Sequence, residues 1–230
     1  LADNHPVNTS ADSPTPVLSA AESLVAYVND QGDALLRGQA LLNQHPIAQP
    51  LVAWQRTHGR HALPWQNTRD PYRVWLSELM LQQTQVKTVL GYYARFLSAF
   101  PNVQTLAAAT QDEVFALWSG LGYYARARNM HACAQQVVAQ FGGQFPQRAD
   151  QLVTLPGIGP STAAAIASFC HGERVAIFDG NVKRVLARVL GFDEDLAASR
   201  AAKRLQQLAQ QAVPASEADM PAYTQGIMDL

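Results

Sequence analysis

Two carboxylates in this chain stand in settings that push them towards opposite protonation states. Glu78 lies within Val74-Trp75-Leu76-Ser77-Glu78-Leu79-Met80-Leu81, a nearly all-apolar run. Burial disfavours the anion, so such a setting raises the pKa and keeps a proton on the carboxyl near neutral pH. That is the requirement for a general acid. Asp179, in Phe178-Asp179-Gly180-Asn181-Val182-Lys183-Arg184, reads as a helix N-cap. There a carboxylate accepts backbone N–H bonds and meets the positive end of the helix dipole, so its pKa is expected to fall. One proton-bearing carboxyl and one anion are the pair that cleavage of a glycosidic bond requires. Each residue also has a purely structural reading. Glu78 could share a polar stripe with Gln82, four residues on, and Asp179 could cap its helix for stability alone.

The stretch from Thr154 to Arg188 is the second feature with chemical content. Leu155-Pro156-Gly157-Ile158-Gly159 precedes Pro160 and a run of small residues from Ser161 to Ser168 that reads as a helix. Two glycines around one apolar residue permit a tight turn with positive φ, and Pro160 suits the first helical turn. The amides that follow would converge on one spot backed by the helix dipole, a site suited to a phosphate oxygen. Taken alone, the same residues also describe a helix connection with no ligand.

Two further stretches break helical periodicity with side chains that suit nucleic acid. Leu81-Gln82-Gln83-Thr84-Gln85 places amides at a helix–helix turn, where they could bond base edges or form an ordinary polar turn. Gly120-Leu121-Gly122-Tyr123-Tyr124-Ala125-Arg126-Ala127-Arg128-Asn129 interleaves aromatics and cations behind a Gly-x-Gly. That combination suits a stacking wedge with phosphate contacts, or a buried tyrosine pair beside a solvated arginine face.

The elements that must position these residues are helices. Helical spacing and caps predict segments at 46–58, 72–82, 85–100, 103–109, 112–118, 124–140, 180–190, 196–213 and 220–230, with 147–153 leading into the hairpin. Asp70-Pro71 opens the second of these as cap and first turn. Val175–Phe178 is the one extended stretch, so the fold class is all-α. Residues 1–16 lack periodicity and are expected to be disordered, and 17–43 suggest one or two helices without chemistry. With Leu at position 1, the natural start is expected to lie upstream.

The chain has 230 residues, 48% of them hydrophobic and 15% charged, enough for a sizeable core. No run reaches the roughly 20 apolar residues of a membrane span, and no signal-peptide pattern opens the chain. The net charge of −1 is uneven: residues 1–45 hold five acidic residues against Arg37, leaving the remainder mildly basic. A nucleic-acid partner therefore requires locally clustered charge. Cys133 and Cys170 read as free buried thiols of a reducing compartment, with a disulfide as the alternative.

With LPGIGPS and FDGNVKRV downstream of VWLSELMLQQT, the chain resembles the helix-hairpin-helix DNA glycosylase superfamily, endonuclease III-like in fold. Within it the chain looks similar to the adenine glycosylases of the MutY type. The resemblance covers about residues 50–230. It implies two helical lobes: a six-helix lobe over 70–175 carrying the hairpin at about 152–168, and a second lobe from 46–69 plus 176–230. Residues 1–45 would form an extension, and DNA would lie in the cleft between lobes.

By the same resemblance, Glu78 would protonate a flipped adenine, Asp179 would stabilise the sugar cation, and Asn181 would help position that centre. Trp65, Gln66, Ser161 and Gln225 would line the base pocket. Gln82, Gln83, Thr84, Leu121, Tyr123, Gly157, Gly159, Thr162 and Lys183 would contact DNA, with Tyr123 as the intercalating wedge. Relatives that also cut the backbone carry a lysine where Ser161 stands, and serine cannot form a Schiff base. The implied activity is monofunctional removal of adenine from A·8-oxoguanine or A·G mispairs in duplex DNA. The rivals are a bifunctional glycosylase of the endonuclease III kind and a non-catalytic DNA-binding module. The family also implies a four-iron, four-sulfur cluster whose cysteines would lie beyond Leu230. A monomer is expected, in the bacterial cytoplasm with the nucleoid, or in the nucleus or a mitochondrion in a eukaryote.

Overall fold

A computed structural model describes residues 33–230. The disorder expected for 1–16, and the part of the 17–43 helical stretch up to residue 32, lie outside the described residues. The described chain is helical, with no strand among its residues, and Val175–Phe178 runs as an extended link without sheet partners. In order, the helices are α1 (Ala34–Gln44), α2 (Ala48–His58), α3 (Pro71–Leu81), α4 (Val86–Ala99), α5 (Val103–Ala108) and α6 (Gln111–Trp118). They continue with α7 (Tyr124–Phe141), α8 (Ala149–Leu152), α9 (Pro160–His171), α10 (Gly180–Val189) and α11 (Ser199–Gln211). A 3₁₀ turn, Glu217–Asp219, leads into α12 (Met220–Asp229).

The helices enclose two apolar cores. The first is built on α3, which buries Tyr72, Val74, Trp75, Leu76, Leu79 and Met80 and so is walled in on nearly every side. The Asp70 carboxylate caps α3 by accepting from the Tyr72 amide at 2.9 Å, with Pro71 in the first turn. Around α3 pack α4 to α9, with Trp118 set edge-on against Phe96 and Trp75 tilted against Phe145. Seven helical segments thus contribute where six were expected, the extra one being the single turn α8. Trp65 also packs into this core, edge-on to Tyr93 with ring centroids 5.2 Å apart.

The second core gathers Leu51 and Val52 of α2, Val182 and Leu186 of α10, Leu205 and Leu208 of α11, and Met220, Tyr223 and Ile227 of α12. It also takes in α1. A Cβ built on Gly38 would stand 2.5 Å from Leu208 Cδ1, so α1 lies hard against α11. Asp33 caps α1 through the amides of Leu35 and Leu36 and pairs with Arg204, which also bonds Glu194 at 2.7 Å. Ala34–Gln44 is therefore a packed part of the second core rather than an appended extension.

Helix α9 belongs to both cores. Ala163, Ile166 and Ala167 face the first, while Ala164 and Ala165 face the second. Small side chains on both sides let neighbouring helices approach from each, so α9 is the wall on which the two halves meet. Gly226 plays a similar part where α12 crosses α2, with Leu51 Cγ 3.1 Å from the position a Cβ would take.

Candidate active site

Between the two cores lies a cavity of about 660 Å³. Helix α3 contributes Glu78 to one wall, and the start of α10 contributes Asp179 and Asn181 to the other. Ser161 and Thr162, from the first turn of α9, close the side between them. Trp65 and Gln66, from the loop after α2, and Gln225, from α12, line the remainder, with Gln82 at the end of α3. Five separate stretches of sequence thus bring every expected catalytic and base-pocket residue to one space.

Glu78 is the half-buried position on an otherwise buried helix face, and among the described residues no hydrogen-bond donor meets its carboxyl. Desolvation raises its pKa from the ordinary 4.5 to about 7, and the nearby Asp179 charge adds to the rise. Asp179 caps α10 as the local sequence requires, its Oδ1 accepting from the Val182 amide at 2.8 Å. Its second oxygen has no partner among the described residues.

On the far side of the cavity the polar groups are tightly organised. Asp229, with a side chain only 2% exposed, accepts from the Arg60 amide at 2.9 Å, from Arg60 Nε at 2.7 Å and from Gln225 Nε2 at 2.7 Å. A carboxylate can only accept, so the Gln225 amide must turn its NH₂ towards Asp229 and keep its carbonyl oxygen as the free end. Gln66 Oε1 accepts from the Leu63 amide at 3.0 Å, while Gln66 Nε2 is buried without a partner. Asp229 is absent from the sequence-based site. Arg60 and Asp229 are 169 residues apart, and no local motif announces such a pair.

The hairpin runs from α8 through Val153–Gly159 into α9. Gly157 takes the left-handed conformation, φ +73°, and a Cβ there would stand 2.7 Å from Asn129 Cβ. Gly159, in contrast, is extended at φ −82°, so only one of the two glycines is needed for positive φ. Pro160 is the first residue of α9, and the amides of Ser161 and Thr162 have no partner among the described residues. Those donors could meet a phosphate oxygen.

The remaining expected DNA contacts divide by exposure. Tyr123 is 64% exposed on a left-handed backbone, φ +48°, and Gln82 and Gln83 are exposed beside Thr84. Leu121 is a correction: at 6% exposure it belongs to the first core and offers no surface to a partner. The Lys183 ammonium lies over the Phe178 ring, 4.9 Å from its centroid. Arg126 does not form part of a solvated cationic face either; it is buried and internally bonded.

Cys133 and Cys170 are free and buried in the first core, where burial pushes both thiols up to about 12. Among the described residues no group of His, Cys, Asp or Glu is placed to hold a metal ion. The two thiols do not fit the cluster that the resemblance implies. No described helix is long and apolar enough to cross a membrane.

Known proteins agree with this architecture. The family model of the HhH-GPD superfamily base excision DNA repair proteins matches residues 76–211. An adenine DNA glycosylase of Buchnera aphidicola subsp. Baizongia pistaciae is 50% identical over 140 residues, 61% of this chain and 40% of that protein. A second, of Buchnera aphidicola subsp. Acyrthosiphon pisum, is 39% identical, covering 82% of this chain and 53% of its own length. The adenine DNA glycosylase of Homo sapiens is 42% identical over 78% of this chain and 34% of its own. The chain thus spans about half the length, or less, of these relatives. A thermostable thymine-DNA glycosylase structure superposes with a TM-score of 0.71 at 24% identity, covering 82% of this chain and 87% of that one. A trapped endonuclease III–DNA covalent intermediate superposes with a TM-score of 0.65 at 19% identity, covering 81% and 84%. Both share the all-α, two-lobed fold, and the chain belongs to the HhH-GPD superfamily of base excision DNA repair proteins.

Proposed function

We propose that this protein is a monofunctional DNA glycosylase that hydrolyses the N-glycosidic bond of adenine mispaired with 8-oxoguanine or guanine. The observation that supports the reading is that Glu78 and Asp179 line one cavity, near enough for the Asp179 charge to act on Glu78. The adenine DNA glycosylase relatives support the choice of base.

A glycosidic bond inside a duplex is out of reach, so the adenosine must leave the stack and enter the cavity. Glu78, holding its proton near neutral pH, protonates the departing purine and turns a poor leaving group into a good one. Positive charge then develops on the sugar. Asp179, held by the α10 amide, stabilises it, and Asn181 beside it helps fix that centre. Water completes the hydrolysis. Ser161 stands in the cavity where an attacking amine would be needed for backbone cleavage, and its hydroxyl cannot form an imine. The free carbonyl oxygen of Gln225 suits the exocyclic amine of adenine. Tyr123 and the Gln82–Thr84 turn fill the space the base vacates, while the hairpin amides hold the backbone.

The test uses the full-length protein in excess over a duplex carrying one A·8-oxoguanine pair. Alkali-labile abasic product should form, without strand cleavage before alkali. No abasic product at enzyme excess ends the proposal. Covalent trapping by borohydride in high yield would instead assign the protein to the bifunctional class.

A further inference from the structure

Arg126 is 9% exposed in the first turn of α7 and faces no carboxylate among the described residues. Its Nη1 donates to the carbonyl oxygens of Leu79 and Met80, each at 3.2 Å, to that of Gln82, and to Thr84 Oγ1 at 3.3 Å. Its Nη2 donates to Thr84 Oγ1 at 3.3 Å and to the carbonyl oxygens of Leu121 and Gly122 at 3.1 and 3.4 Å. The guanidinium also lies against the rings of Trp118 and Tyr123, 5.3 Å from each centroid. One cation therefore joins two turns that are about 40 residues apart in sequence. It meets the last carbonyls of α3, where the helix dipole is negative, and the turn that presents Tyr123.

A buried charge without an anion is costly, and a neutral side chain would serve packing at less expense. A second observation says what the cation is there to hold. Among the described residues only two non-glycine residues have positive φ, Gln83 at 58° and Tyr123 at 48°. They sit on the two turns that Arg126 joins. Strained backbone persists where its surroundings over-determine it.

We propose that Arg126 is a positioning residue that locks the Gln82–Thr84 turn and the Tyr123 turn into one rigid clamp, set before DNA arrives. This rests on the glycosylase reading above, because it assigns those turns to the vacated base stack. Both Nη groups are spent on the protein itself and Nε is buried without a partner, so no donor of Arg126 is left at the surface for a phosphate. Side chains ordered in advance need not be ordered on binding, and the benefit is tighter engagement of the extrahelical state.

The experiment compares Arg126→Met and Arg126→Lys with the parent protein; lysine keeps the charge but loses the planar fork. Without DNA, hydrogen exchange should speed up by about tenfold in both turns together, while α9 stays protected. With a duplex carrying 2-aminopurine opposite 8-oxoguanine, the fluorescence rise on extrusion should fall. The Kd should weaken by about tenfold, the loss expected for charge-assisted bonds. The double variant Tyr123→Ala, Arg126→Lys should lose less affinity than the product of the two single losses, since both act on the Tyr123 turn and only Arg126→Lys also frees the Gln82–Thr84 turn. The alkaline limb of the rate profile, set by Glu78, should not move. Exchange that rises in one turn only, or throughout the first core, overturns the proposal. So do losses that multiply in the double variant. If the parent protein neither binds nor cleaves the mispaired duplex, the glycosylase reading fails, and the DNA-free exchange still decides the clamp.

Discussion

Replacing Glu78 by glutamine should stabilise the fold, and only above a particular pH. The carboxyl titrates near 4.5 in an unfolded chain and near 7 in the cavity wall, where burial comes first and the Asp179 charge second. Below pH 4.5 both states hold the proton, and Glu78 costs nothing relative to its amide. Between pH 4.5 and 7 the unfolded state releases its proton while the folded state retains it. The folded state then binds more protons, so stability declines as pH rises. Above pH 7 both are ionised, and the difference levels off at about 3 kcal/mol, at about 1.4 kcal/mol per pH unit. Glu78→Gln removes that penalty.

Urea unfolding at pH 4, 6 and 8, with the slope of the transition as a control, reads the effect directly. The variant should match the parent at pH 4 and exceed it by about 3 kcal/mol at pH 8. In an Asp179→Asn background the advantage at pH 8 should shrink, because the second contribution to the raised pKa is gone. In the catalytic reading, single-turnover release of adenine by the parent falls by about tenfold per pH unit above pH 7. A stability gap that is the same at pH 4 and pH 8 refutes the reasoning, because the carboxyl would then not hold its proton anomalously.

Other substitutions probe other parts of the site. Asp229→Asn lets the Gln225 amide turn over, since an amide can accept or donate. Single-turnover rates should fall about tenfold on adenine and discrimination against hypoxanthine, which carries a 6-oxo group, should narrow. Gly157→Ala puts a Cβ at φ +73° and 2.7 Å from Asn129 Cβ, so stability should drop by about 1–3 kcal/mol in urea unfolding. Adding Asn129→Gly should recover only part, because the backbone strain remains. Tyr123→Ala removes an exposed ring and should leave stability within about 0.5 kcal/mol. Its affinity for a mispaired duplex should weaken by about tenfold or more, measured by fluorescence anisotropy.

What could be read from the residues alone was whatever depends on neighbours in sequence. Asp70-Pro71 and Gly159-Pro160 open helices because caps and first turns are local devices, and Asp179 bonds the amide three residues on for the same reason. Glu78 stood out because its own turn is apolar. The features that escaped depend on contacts across the fold. Leu121 sits in a turn next to the exposed Tyr123, and nothing in Gly-Leu-Gly-Tyr tells which of the two points inward. Arg126 looks like any exposed helical arginine until α3 is placed against it. Ala34–Gln44 holds four leucines, but two of the three positions it buries are the small Ala34 and Gly38, and Gly38 meets Leu208 of α11, a close approach that depends on a distant helix. The Arg60–Asp229 pair joins elements from opposite ends of the chain.

The two carboxylates also explain each other. Had both been mid-helix in apolar walls, both would hold protons, and nothing would stabilise a sugar cation. Had both been caps, neither would have a proton to give at neutral pH. One sits in each setting, and the anion at the head of α10 itself helps Glu78 keep its proton. The coupling then serves the reaction in the proposed mechanism. As Glu78 passes its proton to the purine, it becomes an anion near Asp179, a repulsion that would oppose the step in an otherwise empty cavity. The sugar turns cationic in the same motion, and its charge offsets that repulsion. Proton donation is therefore favoured only when a glycosidic bond is breaking in the cavity, so the acid is held in reserve until a substrate is present.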